Sequence, residues 1–325
     1  MRKIQWRQVR KEGAVLKDKE PDPQRFTMRG KFEWEFEDGE KGEESNTILL
    51  PIRAAVAQFL ANTPPGLHPS HIGLASGSIA QYARTNQDIE VELKDTGAGV
   101  QLAQEFVPTL STSVQRVLLY MRRIGSSTGD LTLQIQGNTG GLPNGTVLGT
   151  STTVPVNGLP LSLDWVVFEF PTHVPVVSGT IYHIVLSGSG YTYVSTVTEV
   201  NWGADQSSPG YASGDAETYN GATWSAVSPA ADFIFRIVAE YSSSRSTLLD
   251  ELDRNAISSG TNPSPAQARL VAVFAGTEAD DRVAEVGLFD AASGGNLLCS
   301  ASVDMNKGSR QVTAYWIIEV VEVPS

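Results

Sequence analysis

Cysteine is all but missing from this chain of 325 residues: Cys299 is the single one. One thiol excludes an internal disulfide framework and any zinc site built from several cysteines, and its apolar neighbours mark it as a small core residue. Long hydrophobic runs are missing as well. No stretch reaches the roughly 20 apolar residues that a membrane-spanning helix needs, so no membrane span is expected. The N-terminus, MRKIQWRQVRKEG, has no apolar segment of the secretory kind, and synthesis in the cytoplasm is expected. Histidine is scarce at four residues, and no HExxH motif accompanies them. Phosphate-cradling GxGxxG and Walker loops are lacking too. These absences remove the common signatures of zinc peptidases and nucleotide-binding enzymes. No enzymatic activity, cofactor or metal is expected from them.

Charge is sparse, at 18%, and 30 glycines combine with many threonines, serines and valines. That balance favours an all-β chain rich in turns. Net charge is −12, but residues 1–31 carry ten Lys/Arg against four acids, which leaves −18 for the remainder. A basic tail on an acidic body suits docking onto an acidic neighbour in one assembly, with Arg2, Lys3, Arg7, Arg10 and Lys11 as candidate assembly contacts. Helix-turn-helix and RNA-recognition signatures are absent, so nucleic acid is not the expected partner.

Residues 1–25 read as a basic extended arm. From Phe26 the pattern alternates, with Phe32, Trp34 and Phe36 on one face and Glu33, Glu35 and Glu37 on the other, up to a turn at Asp38-Gly39. The spacing of Ile52, Ala55, Val56, Phe59 and Leu60 predicts a helix over Asn46–Asn62, ended by Pro64-Pro65-Gly66. HIGLA at His71–Ala75 reads as a short strand. Between Ile89 and Tyr241, strands of five to eleven residues recur between Gly- and Asn-rich turns: IEVEL, VQLAQEF, VQRVLLYMRRI, LTLQIQG, TVLGTSTTV, DWVVFEF, IYHIVL, YTYVSTV, EVNWG and DFIFRIVAEY. Such a series makes a sandwich or a barrel. Thr247–Ile257 then suggests a short helix, with Leu248, Leu249 and Leu252 on one side. Four further strands follow, among them the hairpin Ala284–Leu298, AEVGLFDAASGGNLL.

The segments before and after the middle are each too small to fold alone. The economical reading is a mainly β chain: a split α+β anchoring domain (26–84 plus 244–325) with an inserted antiparallel β-sandwich (85–243) of jelly-roll-like form. The hairpin would then pair with Phe32–Glu37 and His71–Ala75.

Two resemblances accompany that division. The outer segments resemble a recurring module of tailed-bacteriophage tail and baseplate proteins, through HPSHIGLASGS, EVGLFDAASGGNLL and TAYWIIEV. The middle is similar to a jelly-roll-like sandwich of phage tail and bacterial surface proteins. It shares LAQEF, VLLYMRRIGSSTGDLTLQI, GGLPNGTVLGTST, DWVVFEF and YNGATWSAVSPAADFIFRI. The resemblance implies a structural virion protein, located in the particle, with other virion proteins and further copies of itself as partners. It also implies a spacer or binding module, in some members assigned to carbohydrate, so a host surface glycan is the alternative partner.

Among residues that bear chemistry, aromatic side chains stand out. Tyr211, Tyr219 and Trp224 flank turns and are the candidate ligand-binding residues, because sugar rings stack on such groups. Trp202, inside EVNWG, reads as core. Glu169, Glu199, Asp205, Asp215 and Glu217 read as solvated loop acids. Asp205, Asp215 and Glu217 would be the best calcium set among them, without DxDxDG spacing. His183, in IYHIVL, reads as a packed strand residue, and His68 and His71 as loop residues entering a strand.

Overall fold

The computed structural model describes residues 25–48, 69–94, 99–126, 128–191, 193–242, 244–264 and 267–323. The basic arm with Arg2, Lys3, Arg7, Arg10 and Lys11 lies outside them, as do residues 49–62 of the expected helix and His68.

The chain is mainly β. Its first strands are β1 (Arg25–Phe36), β2 (Lys41–Ile48), β3 (His71–Ala75), β4 (Ser78–Tyr82), β5 (Ile89–Glu92), β6 (Gln101–Phe106) and β7 (Thr112–Ile124). There follow β8 (Asp130–Thr139), β9 (Leu142–Thr150), β10 (Val154–Pro155), β11 (Asp164–Val176), β12 (Tyr182–Ser189) and β13 (Glu199–Asp205). Next come β14 (Ala216–Tyr219), β15 (Trp224–Ala226), β16 (Asp232–Phe233) and β17 (Phe235–Ala239). The last group is β18 (Glu251–Ala256), β19 (Ser259–Ser264), β20 (Gln267–Phe274), β21 (Arg282–Phe289), β22 (Leu297–Asn306) and β23 (Val312–Val323). The helices among the described residues are two single 3-10 turns, Arg84–Asn86 and Val156–Gly158.

One expected helix needs correction, as do the three described residues of the other. Asn46, Thr47 and Ile48 belong to β2, where Thr47 and Ile48 face Ser300 and Cys299 of β22. Most of Thr247–Ile257 is strand: β18 pairs with β3, and the Ser76 and Gly77 amides donate to the Asp250 and Leu249 carbonyls. Asp250 has φ +52°, a left-handed position that interrupts helical backbone. YTYVSTV is also no strand. Among its described residues Val194 makes one bridge to Thr198 around a turn at 195–197, with Thr196 at φ +61°.

Nine strands from both ends of the chain form one antiparallel sheet, ordered β18-β3-β21-β22-β2-β1-β23-β20-β19. The two ends of that order, β18 and β19, are consecutive in sequence, so the sheet curls back on itself around a core. Phe32, Trp34, Phe36 and Trp316 supply one side of this core and Ile72, Leu74, Val286 and Leu288 the other. The alternation that marked β1 is obeyed: Phe32 is fully buried and Lys31, Glu33 and Glu35 stay partly exposed.

The Ala284–Leu298 hairpin lies inside this sheet. β21 pairs with β22 and with β3, Val286 facing Leu74 and Leu288 facing Ile72, while β1 is reached only through β22 and β2. Its polar residues have local tasks. Asp290 accepts hydrogen bonds from the Asn296 amide (2.6 Å) and side chain (2.7 Å), across Gly294 and Gly295 at φ +61° and +70°. A Cβ on Gly295 would lie 2.4 Å from Asp290 Oδ1, so glycine is required there. Arg254 donates to the Ala291 and Gly294 carbonyls of the same turn. Buried Glu285 pairs with Arg245 and accepts the Leu249 amide at 3.0 Å, tying the segment after the middle back to the hairpin.

Strands between Ser78 and Ala239 form two facing sheets. One runs β10-β8-β12-β6-β14-β15, with β9 also on β8; the other runs β16-β13-β7-β17-β4, with β11 on β7 and β5 on β13. β4 therefore joins the sandwich already at Ser78, through Phe235–Tyr82 pairing. Leu102, Phe106, Leu133, Ile184 and Leu186 meet Val117, Leu119, Trp202, Phe233 and Phe235 between the sheets. Trp202 is core, fully buried and stacked on Phe233 at 4.2 Å.

Candidate functional site

One face of the β10-β8-β12-β6-β14-β15 sheet turns away from the sandwich core. Alternation decides which residues it carries. In β12, Tyr182, Ile184 and Leu186 enter the core, which sends His183 and Val185 outward. In β14, Ala216 enters the core, so Glu217 and Tyr219 point outward. Leu102 and Phe106 enter it from β6, leaving Gln101, Ala103 and Glu105 outside.

The registers arrange these residues in rows. Tyr219 faces Gln101, which faces Ser187. Glu217 faces Ala103, which faces Val185. Glu105 faces His183, which faces Gln136. The methyl of Ala103 leaves room over the middle row, and Glu217 reaches across it to bring Oε1 within 3.4 Å of His183 Nδ1. β9, beyond β8 at one end of the sheet, runs close to both β12 and the β15 edge at the other. The sheet thus curls around its outer face. That explains why His183 is 0% and Glu217 1% exposed although they sit outside the sandwich core.

Electrostatics in this hollow are strained. His183 Nε2 lies 3.0 Å from Asn138 Oδ1, whereas Nδ1 and both Glu217 carboxylate oxygens have no hydrogen-bond partner. Burial lowers the His183 pKa to about 4. Burial, and then the negative charges of Glu105 and Asp215, raise that of Glu217 to about 9. Glu105 is also raised, first by burial and then by Asp215. One ligand atom each from Glu105, His183 and Glu217 falls within 4.8 Å of the others.

The sequence-derived candidates fare differently. Tyr219 and Trp224 pair directly between β14 and β15, their rings 5.2 Å apart and tilted by 40°, both partly exposed on the outer face. Tyr211 does not join them. It packs edge-on against Phe235 at 5.1 Å and against Tyr82 at 6.0 Å, and its hydroxyl accepts the Val107 amide. Three of the acids expected in solvent are buried: Glu199, Asp205 and Glu217. Asp205 accepts Tyr82 Oη at 2.6 Å and the Ser208 amide, so it belongs to a different polar cluster from Glu217. His71 is a strand residue with Nδ1 2.8 Å from Ser70 Oγ.

The Glu105–His183–Glu217 grouping was missed from the sequence, since β6, β12 and β14 become neighbours only in the folded sheet. The signal that was present is period-two spacing, which puts Glu217 with Tyr219, and His183 with Val185, on the faces opposite their apolar neighbours.

No protein-family model matches the chain, and no curated protein matches it. Among solved structures it is similar to a chain of the structure of infectious bursal disease virus, Gt strain. The TM-score is 0.16 and the identity 8%, over 79% of this chain and 43% of that one. This chain therefore spans less than half of that viral chain, and a likeness so slight carries no argument. Among the described residues no helix is long and apolar enough to cross a membrane.

Proposed function

We propose that the chain is a structural protein of a phage tail or a related particle. The curled nine-stranded sheet would seat the subunit among other virion proteins and further copies of itself, and the sandwich would project as a decoration or receptor-facing module. The observation that carries this reading is the position of the EVGLFDAASGGNLL hairpin. The segment that resembles tail and baseplate modules sits in the sheet that gathers both ends of the chain, and Asp290, Gly295 and Glu285 each meet a structural need there. In such a protein, function means burial and strand addition at subunit contacts. Particles produced with and without the chain, compared by electron microscopy and infectivity, test the reading. Loss of a density feature or of infectivity supports it, and unchanged infectious particles refute it.

A second reading has its own observation. Tyr219 and Trp224 form an adjacent, partly exposed aromatic pair on a curled sheet face that also bears Gln101 and Ser187. Apolar ring faces beside hydrogen-bonding side chains suit a glycan. Under this reading the sandwich attaches the particle to a host surface sugar. A glycan array probed with the full chain, with Tyr219→Ala and with Trp224→Ala decides it: binding that both substitutions abolish supports the reading, and absence of any binding removes it.

A further inference from the structure

The outer face of the sandwich holds an arrangement that neither reading requires. We propose that Glu105, His183 and Glu217 bind a divalent transition-metal ion of the zinc class, tying β6, β12 and β14 together beneath the aromatic pair.

The argument begins with the histidine. Its Nε2 lies 3.0 Å from Asn138 Oδ1; with that oxygen accepting, Nε2 holds the proton and Nδ1 presents its lone pair. That lone pair lies 3.4 Å from Glu217 Oε1, which is a second acceptor whenever the carboxylate is ionised. Neither atom, nor Glu217 Oε2, finds a donor, although His183 is 0% and Glu217 1% exposed. Buried acceptors facing one another need something positive between them. Glu105 brings a third ligand atom, with all three inside 4.8 Å.

Size and chemistry narrow the choice of ion. Zinc holds imidazole nitrogen and carboxylate oxygen at about 2.0–2.2 Å, which for tetrahedral angles separates two ligand atoms by about 3.3 Å. The His183–Glu217 separation of 3.4 Å matches this. Calcium prefers six to eight oxygens, and one imidazole with two carboxylates is a poor set for it. The Asn138 contact is the outer support that a ligating histidine commonly has, fixing its tautomer and ring plane. Three protein ligands leave a fourth position for water, and exposed Asp215 neighbours Glu105, whose amide donates to the Asp215 carbonyl at 3.1 Å. The rival explanation is a proton held on Glu217 and donated to Nδ1.

The experiment uses the untagged full chain, stripped with a chelator and dialysed against ZnCl2 or CaCl2, with bound metal counted by mass spectrometry. Circular dichroism checks the fold of each variant. One zinc per chain is expected, with no calcium retained. Glu217→Gln, which keeps the shape, and Glu105→Gln, at the partly exposed ligand, should each lower zinc affinity tenfold or more. Cobalt(II) should give a visible absorption band that both variants lose. A folded wild-type chain without stoichiometric zinc overturns the proposal and leaves the shared proton. Zinc affinity unchanged in folded Glu105→Gln, or saturation by calcium in place of zinc, overturns it as well.

Discussion

Arg236 of β17 forms an ion pair with Asp281, the residue just ahead of β21, and so links the sandwich to the sheet built from the chain ends. The guanidinium is 3% exposed, donates to Gln81 Oε1 at 2.9 Å and to the Arg282 carbonyl at 3.1 Å, and lies over the Trp165 ring. Trp165 Nε1 donates to the same Asp281 at 3.0 Å. A second buried arginine, Arg116 of β7, donates to the Val303 carbonyl and lies 3.3 Å from Asp304. Removing one member of such a pair strands a desolvated charge, which costs more than the pair contributes. Asp281→Ala is therefore expected to destabilise the chain by roughly 3–5 kcal/mol in urea unfolding. A loss below ~1 kcal/mol, the scale of a surface pair, would mean the seam is solvated.

Gly42 faces Trp34 across the β1–β2 hairpin, and the indole lies over the bare backbone, with a Cβ at Gly42 falling 2.1 Å from Trp34 Cζ2. Gly42→Val must push Trp34 out of the sheet core. We expect a loss of about 2–4 kcal/mol, in the range of overpacking plus partial exposure of a large aromatic. An unchanged denaturation midpoint would show that the indole has another place to go.

Burial raises the phenol of Tyr82 to about 12, with its hydrogen bond to Asp205 as the next cause, and burial likewise raises Tyr191 to about 12. Both hydroxyls stay protonated in the fold above pH 10, where an unfolded tyrosine ionises. The folded state then binds more protons than the unfolded one, so stability is full below pH 10 and falls as pH rises toward 12. Urea midpoints measured across that window should decline, and less so in Tyr82→Phe and Tyr191→Phe. A flat wild-type profile would contradict the burial of these phenols.

Trp224 and Trp202 make a contrasting pair. Trp202 is stacked on Phe233 and donates from Nε1 to the Ile234 carbonyl at 2.9 Å, so Trp202→Ala should cost about 3–5 kcal/mol. Trp224 is partly exposed in a three-residue edge strand, and Trp224→Ala should cost within about 1 kcal/mol. Equal losses would mean that the outer aromatic pair is core and has no surface free for a ligand.

Much of the fold was legible in residue alternation. Phe32, Trp34 and Phe36 marked one face of β1, and the strands of IEVEL, LAQEF, LTLQIQ and DWVVFEF lie where their patterns put them. The reading of Thr247–Ile257 as helix failed because Leu248, Leu249 and Leu252 satisfy helical spacing while the backbone was claimed by Ser76, Gly77 and β3. Tertiary pairing outweighed local periodicity. The acids were misplaced for a different reason. Composition treats every Glu alike, and only the register that sets Glu217 opposite Ala103 reveals the space into which it is drawn. Tyr211 looked like a turn aromatic, but the packing of Tyr82 and Phe235 around it could not be foreseen from its neighbours in sequence.

The proposal that this chain builds part of a particle is tested most directly by cryo-electron microscopy of particles assembled with and without it. The account predicts that density accommodating the curled sheet and its projecting sandwich disappears, together with assembly or infectivity, when the chain is left out. Particles of unchanged shape and full infectivity would contradict it.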